Sequence, residues 1–242
     1  MKQDKLFIVV PAYNEEENIE TVVKDWYPIT EKVQGGSELL VISDGSKDQT
    51  FAILKKLELK YPNLTAVEKK NSGHGGTVLY GYQYAIDHGA DFIFQTDSDG
   101  QTLPEEFWSM WEKRNEFDIQ IGKRSGRQDG FSRVLVTKVL KLVLFLFFGK
   151  WVEDANTPFR LMKRETLIPL LDNVPTDYNL SNVLLTVLYE KNNKKIRYQK
   201  ITFKPRQGGV NSINLRNITK IGWQAIKDFS MLRKNVIRHS EV

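Results

Sequence analysis

Two carboxylates, Asp97 and Asp99, stand two residues apart in the run Asp97-Ser98-Asp99-Gly100-Gln101, just after the apolar Phe92-Ile93-Phe94. A strand that ends this way aims both side chains past the edge of a sheet, where a hard divalent cation can bridge them to phosphate oxygens. Taken alone, the same residues also describe a solvated Asp-Gly turn. Asp44 precedes Gly45 in a second turn, and Asp154 opens the stretch Asp154 to Arg160. Arg124, Arg127, Arg133 and Arg206 are the cations best suited to phosphate, because a guanidinium fork meets two oxygens at once. His74 lies in the glycine-rich run Asn71 to Gly76 and is expected to hydrogen-bond within that loop without a catalytic role.

The elements that must position these groups alternate. Leu6 to Val10 reads as a buried parallel strand, and Asn14 with Glu17 as a capping-box start to a helix reaching about Trp26. Glu38 to Ser43, Leu64 to Glu68 and Asp91 to Thr96 read as further strands, with helices over Asp48 to Leu59 and Thr77 to His88. This rhythm predicts an α/β fold with a doubly wound, mostly parallel sheet whose ligands gather at the C-terminal ends of the strands. Beyond Gln101 the pattern gives a helix over Pro104 to Arg114, a strand over Asp118 to Lys123 and a polar loop from Ser125 to Ser132. A helix around Leu180 to Glu190, a strand over Tyr198 to Phe203, a basic loop from Lys204 to Ser212 and a last helix from about Leu215 to Lys234 follow. One domain over residues 1–214, followed by a C-terminal helix and tail over 215–242, is the expected organisation.

Composition narrows the classes. A net charge of +5 from 35 Lys and Arg against 30 Asp and Glu is modest for 242 residues, which argues against a dedicated nucleic-acid binder and fits phosphorylated substrates or an anionic membrane surface. The chain has no cysteine, so disulfides, thiolate metal sites and cysteine nucleophiles are excluded and a cytosolic setting is expected. The apolar run at Leu6 to Val10 is too short for a signal-peptide core. No Gly-Lys-Ser/Thr ends the glycine-rich loop and no Gly-x-Gly-x-x-Gly follows the first strand, so neither a P-loop nor a dinucleotide fold is indicated.

Pro11-Ala12-Tyr13-Asn14-Glu15, Ser43-Asp44-Gly45-Ser46, Asp97-Ser98-Asp99-Gly100-Gln101 and Asp154-Ala155-Asn156-Thr157-Pro158-Phe159-Arg160 occur in this order. Together they resemble the family 2 inverting glycosyltransferases, in the branch that transfers hexoses to dolichyl or polyprenyl phosphate. The resemblance covers about Phe7 to Ser212 and implies the GT-A fold, a UDP- or GDP-hexose donor and a Mg²⁺ or Mn²⁺ cofactor. It implies that Pro11, Tyr13 and Glu15 line the base and ribose pocket, that Asp44 accepts an N–H from the base, and that Asn71 and Gly73 lie in a loop passing under the nucleotide. It further implies Asp99 as metal ligand, Asp97 on metal or ribose, and Gln101 beside the diphosphate. Asp154 falls on the acceptor side, as general base for a hydroxyl acceptor or as a positioning group for a phosphate. The four arginines fall on acceptor phosphate or donor diphosphate. The sequence departs from the family at Ser43, where a second acidic residue is common, and at Thr157-Pro158, where many relatives have Ser-Gly.

Val134 to Phe148 is apolar with Lys138 and Lys141 set into it, and at about fifteen residues it is shorter than the roughly 20 needed to span a bilayer. The last helix pairs an apolar stripe with basic residues, a pattern shared by interfacial helices and by ordinary core-packed ones. The reading is therefore a transferase peripherally associated with the inner face of the membrane, acting on a polyprenyl phosphate, with an oligomer or membrane partner for firmer anchoring and no nucleic acid. The alternatives are transfer to a saccharide hydroxyl in polymer synthesis and a catalytically silent nucleotide-sugar scaffold.

Overall fold

The computed structural model describes residues 3–125 and 154–204. Within them, β1 (Leu6–Ala12), α1 (Ile19–Val33), β2 (Glu38–Ser43), α2 (Thr50–Glu58), β3 (Leu64–Glu68), α3 (Gly73–Asp87) and β4 (Phe92–Gln95) alternate as the periodicity predicts. A 3-10 turn (Pro104–Phe107) runs into the single-turn α4 (Trp108–Trp111), and β5 (Ile119–Ser125) follows. Then come β6 (Arg160–Lys163), α5 (Arg164–Leu171), α6 (Ser181–Lys191) and β7 (Ile196–Thr202).

The seven strands form one sheet in the order β3-β2-β1-β4-β6-β5-β7. β1 pairs in parallel with β2 and β4, β2 with β3, and β5 with β7. β6 alone runs the other way, antiparallel to both β4 and β5. The sheet is buried on both faces, so β1 is apolar throughout. Phe7 and Val9 join the core under α3, α5 and α6, and Leu6, Ile8 and Val10 the core under α1 and α2. This is the three-layer α/β arrangement expected.

Several boundaries differ from the sequence reading for identifiable reasons. α1 starts at Ile19 instead of Asn14. Asn14 adopts φ 53°, and its side chain accepts the Lys47 N–H at 2.8 Å, so it ties two loops together and caps no helix. The helix continues past Pro28 to Val33 because Ile29 and Thr30 remain buried on the sheet, and packing overrides the lost backbone hydrogen bond. α3 starts at Gly73, so the glycine-rich run is mostly the helix's first turn and not a loop. β6 and α5 were not anticipated: one is only four residues long, and the other carries Pro169. Arg127, Arg133, Arg206, the polar loop after Ser125, the apolar stretch at 134–148 and the final helix lie outside the described residues. Among the described residues, no helix is long and apolar enough to cross a membrane.

Candidate active site

The C-terminal ends of β1, β2, β3 and β4 share one edge, and the turns leaving them are knitted together. The Glu15 N–H donates to Thr50 Oγ1 at 2.8 Å, the Asn14 N–H to Ser46 Oγ at 3.1 Å and the Gln49 N–H to Glu16 at 2.9 Å. Pro11 and Glu15 are buried here, Glu15 accepting from Asn18 Nδ2 at 2.8 Å, while Tyr13 between them is left 44% exposed.

Asp44 follows β2 directly and is only 3% exposed. Its Oδ1 accepts two bonds, from Lys69 Nζ at 2.6 Å and from the Ser72 N–H at 2.9 Å. Asn71 Nδ2 donates to the Asp44 carbonyl at 2.8 Å, and Gly45 turns through φ +65° with Asn71 packed against it. Asn71 therefore orders the Asp44 turn. The glycines after it serve the protein's own packing: a Cβ on Gly75 would stand 2.2 Å from the Tyr178 carbonyl oxygen, and one on Gly76 2.7 Å from Ser72 Oγ. The glycines of this run admit the loop 176–179, and Gly73, at φ +79°, lies against Asn179 in the same way.

Beyond β4, Asp99 Oδ1 accepts the Gln101 N–H at 3.1 Å, a local turn that Gly100 closes at φ +68°. Gln101 is turned to the protein as well, its Nε2 donating to the Lys204 carbonyl at 2.8 Å and its own carbonyl accepting the Lys204 N–H at 2.8 Å. Asp97 keeps 27% of its side-chain exposure, yet its Oδ1 is buried with no hydrogen-bond donor, 3.9 Å from His74 Nε2. Burial pushes the Asp97 carboxyl up to about 6; His74 and Arg124 pull it down, and Asp99 and Glu15 push it up. These five groups thus share one electrostatic neighbourhood. A carboxylate oxygen held dry without a donor, beside a second carboxylate, fits a hard divalent cation. Among the described residues no cluster of three or more His, Cys, Asp or Glu forms a closed cage, so such a cation would complete its shell with ligand or water oxygens.

The other flank is built on β5 and β6. Arg124, near the end of β5, grips Asp154 in a fork, Nε to Oδ2 at 3.0 Å and Nη2 to Oδ1 at 2.8 Å, both side chains being mostly buried, while its guanidinium lies 5.2 Å from the Phe203 ring centroid. The predicted base and a predicted phosphate-binding cation are thus partners of each other. Arg160, which ends the same motif and opens β6, was assigned no role from sequence. It is fully buried and donates to the carbonyls of Ala155 (3.0 Å), Thr157 (3.1 and 2.8 Å) and Asn182 (3.1 Å) and to Thr186 Oγ1 (3.4 Å). The loop after Asp154 is wrapped around this side chain. An arginine closing an apolar Pro-Phe-Arg run was the available signal.

Known proteins bear on this arrangement in three ways. The family model described as "Glycosyl transferase family 2" matches residues 7–177. Undecaprenyl-phosphate 4-deoxy-4-formamido-L-arabinose transferases of Salmonella choleraesuis and Salmonella paratyphi B are 26% identical over 185 residues, covering 70% of this chain and 56% of theirs. The chain thus spans little more than half the length of these relatives. Glucosyl-3-phosphoglycerate synthase of Mycobacterium tuberculosis superposes with a TM-score of 0.69 at 18% identity as its complex with Mn²⁺, UDP and glucosyl-3-phosphoglycerate, covering 95% of this chain and 80% of that one. Its complex with Mn²⁺, UDP-glucose and phosphoglyceric acid gives 0.70 over 96% and 80%. The fold is accordingly that of the GT-A glycosyltransferases. With the family pattern extending over most of the sequence, this chain belongs to glycosyl transferase family 2.

Proposed function

We propose that the chain is a metal-dependent inverting glycosyltransferase that moves a hexose from a nucleoside diphosphate to a polyprenyl phosphate at the cytoplasmic face of a membrane. The observation that carries this reading is the buried, donor-less Oδ1 of Asp97 after β4, with the Arg124–Asp154 fork, which could be taken over by a phosphate, on the neighbouring strands. Donor and acceptor groups then meet above the end of β4. Pro11, Tyr13, Glu15 and Asp44 would hold the nucleoside, and Asp97 and Asp99 would hold Mg²⁺ or Mn²⁺. When bound, the cation supplies Lewis-acid neutralisation of the charge that grows on the departing diphosphate.

The state of Asp154 favours a phosphate acceptor. Both its oxygens are engaged by the Arg124 fork, a carboxylate geometry that a phosphate reproduces. An acceptor phosphate entering here takes the fork over from Asp154. Its oxygen, already anionic, attacks the anomeric carbon as the bond to the diphosphate breaks on the opposite face, and no proton has to move. Until the acceptor arrives, Asp154 serves to hold Arg124 in position. For a saccharide hydroxyl, Asp154 would instead have to leave Arg124 and act as base. The names of the relatives, which act on undecaprenyl phosphate, support the first reading.

The test is transfer of radiolabelled sugar from UDP- and GDP-hexoses to undecaprenyl phosphate with Mn²⁺ or Mg²⁺, against EDTA and Asp99→Ala. Label is expected in the organic phase, falling on the order of 100-fold or more with either treatment. Donor turnover with no labelled lipid would move the reading to a saccharide acceptor; donor binding without turnover would leave a scaffold.

A further inference from the structure

We infer that Lys69 is a specificity-determining residue that makes this site select uridine over guanosine diphosphosugars; the inference rests on the reading of Asp44 as the base-binding carboxylate. Lys69 directly follows β3, and its side chain is mostly buried, 16% exposed. The ammonium meets four acceptors: Asp44 Oδ1 at 2.6 Å, Ser72 Oγ at 2.6 Å, the Lys70 carbonyl at 2.9 Å and Thr77 Oγ1 at 3.3 Å. It fastens the turn after β2 to the start of α3.

The consequence lies in what remains of Asp44. A carboxylate oxygen has two lone pairs. Oδ1 has given both, one to Lys69 and one to the Ser72 N–H. Oδ2 accepts no hydrogen bond from the described residues. A nearly buried carboxylate thus offers a base a single acceptor, flanked by an ammonium and an amide N–H. The imide edge of uracil carries one donor, N3–H, between two carbonyl oxygens, and matches that offer. Guanine presents two adjacent donors, N1–H and N2–H, which would claim both oxygens of a carboxylate. Here its second donor meets an oxygen already saturated and goes unpaired, the kind of mismatch that discriminates strongly.

Lys69→Met removes the donor and opens a lone pair on Oδ1, whereas Lys69→Gln can keep an N–H on that oxygen without the charge. Dissociation constants for UDP and GDP, measured by calorimetry with Mn²⁺ on wild type and both variants, decide the matter. Wild type is expected to bind UDP at least about tenfold more tightly than GDP, Lys69→Met to shrink that ratio to about threefold or less, and Lys69→Gln to hold it near wild type. Equal affinity for UDP and GDP in wild type overturns the assignment, as does Lys69→Met weakening both by one common factor. Should Lys69→Met not fold, Lys69→Ala, which removes the same donor, takes its place with the same expected fall in the ratio, and an unchanged ratio overturns the assignment. If wild type, folded by circular dichroism, binds neither nucleotide, the nucleotide-sugar reading fails and this inference with it.

Discussion

The two flanks of the site hold their carboxylates in opposite ways. On the β1–β2–β3 flank Asp44 is fastened through one oxygen and keeps the other available, within turns that Asn14, Glu16, Thr50 and Asn71 lock against each other. On the β5–β6 flank both oxygens of Asp154 are closed by Arg124, and the loop behind them is wound on Arg160. On the proposed reading, one flank is ready for its ligand as it stands, while the other stores its cation on an internal anion that a ligand must displace. A donor site preformed in this way would cost little ordering on binding, and an acceptor cation already neutralised would avoid an unpaired charge in the resting protein.

The largest test of this contrast is Arg160→Met. It strips the carbonyls of Ala155, Thr157 and Asn182 of their donors in a buried setting, at about 1–3 kcal/mol for each group left unsatisfied. A loss of about 3–5 kcal/mol in urea unfolding is expected, with transfer falling further than the folded fraction explains while affinity for donor nucleotide holds. If donor binding fell equally, the flanks would not be independent units. Gly75→Ala probes the other flank, since its Cβ would meet the Tyr178 and Asn179 carbonyl oxygens at 2.2 and 2.6 Å. The start of α3 must then shift, at about 1–3 kcal/mol by thermal unfolding, with weaker nucleotide binding as Ser72 and Asp44 lose register. A change in acceptor affinity alone would reverse the assignment of flanks.

The smallest effect is confined to a pH window. Asp97 holds its proton up to about 6 in the folded protein, against 3.8 for an ordinary aspartate. Between those values the unfolded chain releases the proton and the folded one keeps it, so this group's contribution to stability is full below about 3.8 and is lost as pH rises through about 6. Urea midpoints of the metal-free protein across that window should decline with pH in wild type and decline less in Asp97→Asn. Identical slopes would remove Asp97 from the set of buried, charge-coupled groups.

Legibility in the sequence follows the same division. The β1–β2–β3 flank is written in contiguous words, because each strand is buried on both faces and its functional turn follows within a few residues. β2 and β3 fall at the boundaries their apolar runs predict. The positions of Asp44 just after β2, and of Asp97 and Asp99 just after β4, were legible for that reason. Lys69 was passed over because a lysine in a Glu-Lys-Lys-Asn run reads as surface charge, and only the meeting of β2's turn with β3's end buries it. β6 and Arg160 were passed over because four residues carry no period, and their role arises from pairing β4 on one side and β5, some 40 positions earlier, on the other.

By itself the sequence determined the alternating α/β architecture and the order of the four motifs along it, since hydrophobic period and turn chemistry are local properties of the chain. Tertiary structure decided which groups meet: that Arg124 is spent on Asp154, that the glycines of α3 admit a protein loop, and that Lys69 occupies one oxygen of Asp44. Those outcomes depend on contacts between residues some 25 to 100 positions apart. Burial and hydrogen-bond saturation settle them only once the sheet has brought the segments together.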